Sequence, residues 1–318
     1  MCAFVALQSI SGSLAVPAAA GVGFAVIAVC YRIGQARNVT APPIAGILSA
    51  FAMLYCLWGA WHELPVAPRL VWVWGIASGL SQYATVRLLT VALRLGPLSP
   101  LWCAVALGFV PQTVYALLRF GEPVDTMQVF GLGCGIACVV LASRRGTPSS
   151  PGSGQVKHSA DGSDKLLYAA VLLGILIVNS LPAMGLKDLS RACGPDGRPW
   201  SQCFGNTFLL LMYACLGLPV LVESLVVRRQ SWPWRRALPL GALAGAGSVF
   251  GMTMMALASE LQAAAAFPVM GMVSILLVAV VSVMAFRERA DSLWFGVIGL
   301  GLASVVLANW QQVAQLLR

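Results

Sequence analysis

The sequence predicts an all-α integral membrane protein whose ten transmembrane helices form two inverted five-helix repeats. Three observations carry that expectation. The 318-residue chain is 59% apolar and 10% charged, with a mean hydropathy of +0.83, and its apolar runs recur at the ~20-residue length that crosses a bilayer as a helix. The stretch 120–142, FGEPVDTMQVFGLGCGIACVVLA, returns 166 residues later at 286–308 as FRERADSLWFGVIGLGLASVVLA, with ten of 23 positions identical. That self-similarity marks an internal duplication, and the same offset relates Gly75 to Gly241, Gly79 to Gly245, Ala92 to Ala258 and Leu95 to Leu261. Each copy holds five apolar runs, and an odd number of spans sets the second copy upside down relative to the first.

In chain order, residues 1–31 carry no charge and show no basic region ahead of a small-residue cleavage site, so a removed signal peptide is not expected. The first span covers about 14–31, with Pro17 near its start, and Arg32 and Arg37 close it. Pro42 and Pro43 open the second, to about 61, since proline is tolerated in the first turn of a helix. His62, Glu63, Pro65, Pro68 and Arg69 make its exit loop, and the third span runs from about 71 to 89. Arg87, Thr90 and Arg94 follow one another at helical spacing and so share a face. The fourth and fifth spans lie at about 98–118 and 124–142. The first repeat is thus residues 1–143, and the Gly/Ser/Pro-rich segment 144–165 reads as a flexible linker. The second repeat, 166–318, holds spans near 166–186, 204–226, 238–257, 263–285 and 292–310.

The net charge of +9, from 20 basic and 11 acidic residues, would suggest nucleic acid in a soluble protein. Here the basic residues sit between apolar runs, where they set topology and meet lipid headgroups. The expected partners are the bilayer and a small solute, and not nucleic acid.

Arg87 is the sharpest functional candidate, because an ionisable group within a span usually faces a cavity or a partner. The alternative is that it reaches the headgroups alongside Arg94. In the functional case the solute carries a carboxylate or phosphate, which a guanidinium binds in bidentate fashion. Candidate solute-binding residues are Gln82, Tyr83, Arg87 and Gln112 in the first half and Ser248, Thr253 and Ser274 in the second, since a solute site gathers a few polar groups in an apolar wall. Arg94 and Glu260 occupy equivalent positions in the two halves and could pair as a gate in one conformation.

Glu122 and Glu288 recur in the turn before the last helix of each half, with a gate as their alternative role. Asp125 and Asp291 sit where an N-cap accepts backbone N–H bonds, and Asp125 with Gln128 fits a capping box. The pairs Gly131/Gly135, Gly133/Ala137 and Gly299/Ala303 have the spacing that lets helices approach closely in lipid.

All acidic residues fall at span ends or in loops, and His62 and His158 are not deep in a span, so no proton relay stands out. No phosphate-binding loop, metal-ligand spacing or activated nucleophile is present, so neither an enzyme nor a cofactor or metal is expected. Cys193 and Cys203 bracket a Gly/Pro-containing loop and could pair in an oxidising compartment.

Two five-helix halves, each ending in an apolar helix, a Phe-x-Glu-x-x-Asp turn and a Gly-rich apolar helix, resemble the EamA-like branch of the drug/metabolite transporter superfamily. The resemblance is strongest at 120–142 and 286–308 and moderate at 86–100. It implies a ten-helix carrier of small organic solutes in the cytoplasmic (inner) membrane, monomer or homodimer, with the solute held between the third and fourth spans of each half. It also implies cytoplasmic termini. That arrangement leaves only Arg69, Arg119, Lys187, Arg191, Arg198 and Arg318 inside, six of the 20 basic residues. The positive-inside rule favours the reverse, with termini outside and the linker in the cytoplasm. The alternatives are a sugar porter of the same superfamily and a membrane scaffold or sensor that transports nothing.

Overall fold

In lipid a backbone must satisfy its own polar groups, and the helix does so within one segment. The computed structural model describes residues 14–95, 105, 107–144, 162–191, 200–227, 232–261, 263–286 and 292–310. Among the described residues there are ten α-helices and no strand. They are α1 Ala15–Ala36, α2 Ala41–Glu63, α3 Arg69–Leu95, α4 Phe109–Phe120, α5 Thr126–Arg144, α6 Gly162–Ser190, α7 Trp200–Leu221, α8 Trp234–Ala258, α9 Ala263–Phe286 and α10 Ser292–Ala308.

Six stretches are long and apolar enough to cross a membrane: Ala15–Ala36, Ala41–Val66, Leu167–Ser190, Trp200–Ser224, Trp234–Ala258 and Ala263–Ala285. The chain is a multi-pass membrane protein. At 27 residues α3 has the length, but Ser78, Ser81, Gln82, Thr85 and Arg87 dilute its apolar character. Several helices run longer than the predicted spans, α1 reaching Ala36 instead of 31, whereas α7 ends at Leu221 and α10 at Ala308, short of the expected 226 and 310, and the described part of α4 is Phe109–Phe120. Because α6 begins at Gly162, the last residues of the expected linker are helical.

Local chemistry sets the helix ends. Asn38 closes α1 with a φ of 57°, a left-handed conformation that asparagine tolerates, and Val39 N–H then bonds back to Gly34 O at 2.8 Å. Gly121 closes α4 with φ 60° and donates to Leu117 O at 3.0 Å, the left-handed cap that glycine adopts without strain. At the start of α5 Gln128 Oε1 accepts the Asp125 N–H at 3.1 Å, which is the glutamine half of the expected capping box.

Small residues bring the helices together. A methyl group on Gly23 of α1 would lie 2.6 Å from backbone atoms of Gly247 and Gly251 on α8. One on Gly131 of α5 would lie 2.6 Å from Ala308 N at the end of α10. At Gly133 and Gly299, by contrast, no atom of the described residues lies within 4 Å of an added methyl. Two residues turn a helix by about 200°, so once Gly131 faces α10, Gly133 faces away.

The helix pairs have definite directions. Ser49 of α2 touches Gly217 of α7 and Gly59 touches Asn206, so these two helices run antiparallel. In α5 and α10 the Ser304 hydroxyl donates to Gly131 O at 2.7 Å and the Cys138 thiol to Val297 O at 3.1 Å, again antiparallel. Leu88 meets Gly174 and Trp74 meets Gly185, so α3 and α6 are antiparallel too. The bundle therefore has two ends. The linker end gathers the α1–α2 turn, the last turns of α3 and α7 and the start of α8, where Arg236 Nη1 donates to Arg37 O at 3.4 Å. The far end gathers the last turns of α2, α4 and α6, the start of α7 and the α8–α9 turn.

Candidate functional site

At the linker end a cavity of about 440 Å³ opens between α1, the α1–α2 turn, α3 and the end of α7. Its wall is largely apolar, with Gln35, Asn38, Thr40, Thr90 and Ser224 setting amides and hydroxyls among valines, an alanine and a proline. The charged side chains among the described residues that line it are Arg87 and Glu223.

Both reach the cavity for local reasons. Tyr83 and Arg87 are four residues apart, one above the other on α3, and both meet Glu223. Arg87 Nη1 lies 2.6 Å from Glu223 Oε1, and the Tyr83 hydroxyl donates to Oε2 at 2.9 Å. The side chains of Arg87 and Glu223 are 35% and 19% exposed. Glu223 belongs to a six-residue π-helical turn, Val222–Val227, that follows Pro219 of α7. Proline has no N–H to offer and disturbs the helical ladder around it, and such wide turns often carry functional residues.

Further along α3, Gln82 Nε2 donates to Asn179 Oδ1 of α6 at 3.4 Å, and Asn179 Nδ2 donates to Val105 O at 3.3 Å. Gln112 of α4 is buried, and among the described residues its Oε1 has no partner.

At the far end, charges with several partners each tie the helix ends together. Glu122 and Lys187 have side chains only 6% and 2% exposed, with Nζ 2.7 Å from Oε1. Lys187 also donates to Ser259 O at 3.1 Å and Leu261 O at 2.7 Å, where α8 ends. Arg191 donates to the same Glu122 oxygen at 3.1 Å and lies over the Phe120 ring. The second oxygen of Glu122 accepts the Ala263 N–H at 2.8 Å. Glu122 thus caps α9 from a distance, a tie between helices that a role in its own turn does not describe. Asp188 accepts from the Tyr115 hydroxyl at 2.8 Å and from Trp74 Nε1 at 3.2 Å. Glu63, at the end of α2, accepts from Asn206 Nδ2 at 2.7 Å, Thr207 N at 2.8 Å and Thr207 Oγ1 at 3.0 Å.

The expected site residues therefore divide. Arg87 lines the cavity and Tyr83 is tied to it through Glu223, whereas Gln82, bonded to Asn179 of α6, and the buried Gln112 do not line it. Ser248 is instead paired with the Tyr213 hydroxyl at 2.7 Å, and neither it nor the half-buried Thr253 and Ser274 lines the cavity. In this structure position 94 and Glu260 stand at opposite ends of the bundle. Glu260 is exposed at the far end, where the Ser201 hydroxyl donates to it at 3.0 Å and desolvation holds its carboxyl above the usual range against that bond. Position 94 lies twenty residues, or about 30 Å, along α3 from the far-end contact of Trp74 with Asp188. Antiparallel halves put equivalent helix ends on opposite faces. Glu288, Cys193 and the Arg94 side chain lie outside the described residues.

Sequence reasoning missed Glu223, Lys187, Asp188 and Glu63. A signal for Glu223 was present, as an acid within the predicted span 204–226 of a chain that also places an arginine within a span.

No family model matches the chain, and no curated protein matches it. A solved crystal structure, described only as that of a protein, superposes with a TM-score of 0.63 at 14% identity, covering 93% of this chain and 96% of that one. At that identity the likeness speaks for the fold alone, and it does so over nearly the whole length of both chains.

Proposed function

We propose that this protein is a secondary transporter, EamA-like in plan, that moves a small polar organic solute across the cytoplasmic membrane by alternating access. The observation that carries the reading is the contrast between the ends: a cavity of about 440 Å³ with a few polar groups in an apolar wall at the linker end, and a network of buried, multiply bonded charges at the far end. A carrier caught open to one side has this asymmetry. The antiparallel packing of α2 on α7 and of α5 on α10 supports two inverted five-helix halves, because the 166-residue offset makes each of these pairs equivalent. Such halves rock against each other around a central site in many carriers. The cavity weighs against a scaffold without transport. Its amides and hydroxyls also favour, as a second reading, a porter of sugars, which neutral polar groups suffice to bind. With termini outside and the linker in the cytoplasm, the cavity opens to the cytoplasm.

The test places single cysteines at Thr40 and Ser190 in a chain freed of its native cysteines, in proteoliposomes. Thr40→Cys labels rapidly with a water-soluble thiol reagent and Ser190→Cys slowly; a transported solute slows the first and speeds the second. Equal, solute-independent labelling at both ends would defeat alternating access.

A further inference from the structure

We propose that Lys187, Arg191 and the first N–H of α9 form a carboxylate-binding socket, which Glu122 fills as a tethered ligand and which takes a free small carboxylate when the α4–α5 turn withdraws. The inference goes beyond the carrier reading and does not depend on it.

The donors lie on the end of α6 and the start of α9, and the acceptor on the turn between α4 and α5. Lys187 and Arg191 stand four residues apart, one helical turn, and so share a face. Both reach Glu122 Oε1, at 2.7 and 3.1 Å, while the Ala263 N–H donates to Oε2 at 2.8 Å. Ala263 opens α9, where the first N–H groups have no partner within the helix and favour an anion. A helix end alone is a weak receptor, but here two cations converge on the same carboxylate.

Lys187 is held in place by bonds that do not involve Glu122. Its ammonium has three N–H donors, and Ser259 O, Leu261 O and Glu122 Oε1 take them. The two carbonyls belong to the α8–α9 turn, so the lysine stays beside the start of α9 when Glu122 leaves. Withdrawal of Glu122 then strands a positive charge and one donor at a side chain only 2% exposed, and a stranded buried charge is costly. The neighbouring carboxylates are engaged elsewhere, Asp188 by Tyr115 and Trp74 and Glu260 by Ser201. Arg191, with 55% of its side chain exposed, gives the socket a side open to water. A free anion cannot share the socket with Glu122, since two carboxylates so close repel; it replaces the side chain.

The experiment uses acetate as the probe, because Glu122→Ala deletes a CH2–COO− end with the same heavy atoms. Melting of the purified full chain in detergent is followed at one pH and one ionic strength, in sodium chloride, in sodium acetate, and in chloride with acetamide. The proteins are the native chain, Glu122→Ala and the double variant Glu122→Ala, Lys187→Met. In chloride Glu122→Ala is expected to melt below the native protein. Acetate at ten times its dissociation constant should raise the melting temperature of Glu122→Ala by roughly 2–4 °C, saturably. Acetamide has the shape without the charge and should leave it unchanged, and neither the native protein nor the double variant should respond to acetate. An equal shift in all three proteins, or no shift in Glu122→Ala, overturns the socket and leaves the carrier reading where it stood. If Glu122→Ala does not survive in chloride, it is purified in acetate and exchanged. Unfolding on removal of acetate then supports the socket, and a variant no more stable in acetate than in acetamide overturns it.

Discussion

At the far end Lys187 gives its ammonium to Glu122 and to two backbone carbonyls, and its side chain is 2% exposed. At the linker end Arg87 gives its guanidinium to Glu223, and a third of the side chain stays open to the cavity. Both are cation–carboxylate pairs near helix ends, so residue type does not distinguish them. What differs is how far each charge is committed. A buried charge held by several partners cannot be shared with a visitor, because removing any one leaves a polar group stranded in low dielectric. A pair at a cavity wall can exchange partners with water or solute. The first arrangement ties helices together, and the second is the one open to exchange that the proposed site requires.

The largest effect that would break this contrast is expected at Lys187. Replacing it with methionine strips Glu122 of its closest cation and should lower stability by about 3–5 kcal/mol, read by thermal or denaturant unfolding in detergent; a loss below about 1 kcal/mol would put the two ends on the same footing. Glu63→Ala removes three hydrogen bonds where α2 meets α7 and should lower stability by about 2–3 kcal/mol by the same assay. Gly131→Ala probes the shaft between the ends and should be destabilising by about 1–3 kcal/mol through overpacking against α10. Its control, Gly133→Ala, should change stability by no more than about 0.5 kcal/mol, and equal effects would contradict the outward face given to Gly133. Least of all, Arg87→Gln should shift stability by about 1 kcal/mol or less, as partly exposed pairs do, while changing what the protein binds. A loss at Arg87 as large as at Lys187 would make the linker-end pair a structural bond too.

The helices were legible because bilayer thickness leaves a long apolar run few other fates. Predicted and observed elements agree in order, and even the Asp125–Gln128 cap could be read from spacing. The site was half legible. Arg87 stood out as a charge within a span, but its partner did not, and the reason lies in the repeat. Ser248, Thr253 and Ser274 were favoured because they mirror the first half, whereas the pair sits where the halves differ: Glu223 corresponds to Leu57, and Lys187 to Gly21. Positions 94 and 260 are likewise equivalent by the repeat and stand at opposite ends in this structure, since equivalence under inversion means distance. Burial was the other hidden quantity. Glu122 reads as a loop residue, and only the approach of α6 and the α8–α9 turn encloses it.

The wide turn after Pro219 has a consequence for helical phase. An α-helix advances by about 100° per residue, and a π turn absorbs one residue more than an α turn, so everything beyond it is rotated against the heading of α7. Deleting Val222, the residue of this turn that precedes Glu223, moves the carboxylate by one helix position, about 100°, out of line with Arg87. The orientation of the carboxylate is therefore stored as an extra residue in the count of the chain. A length change of one at this place should abolish the pair while preserving every side chain that makes it.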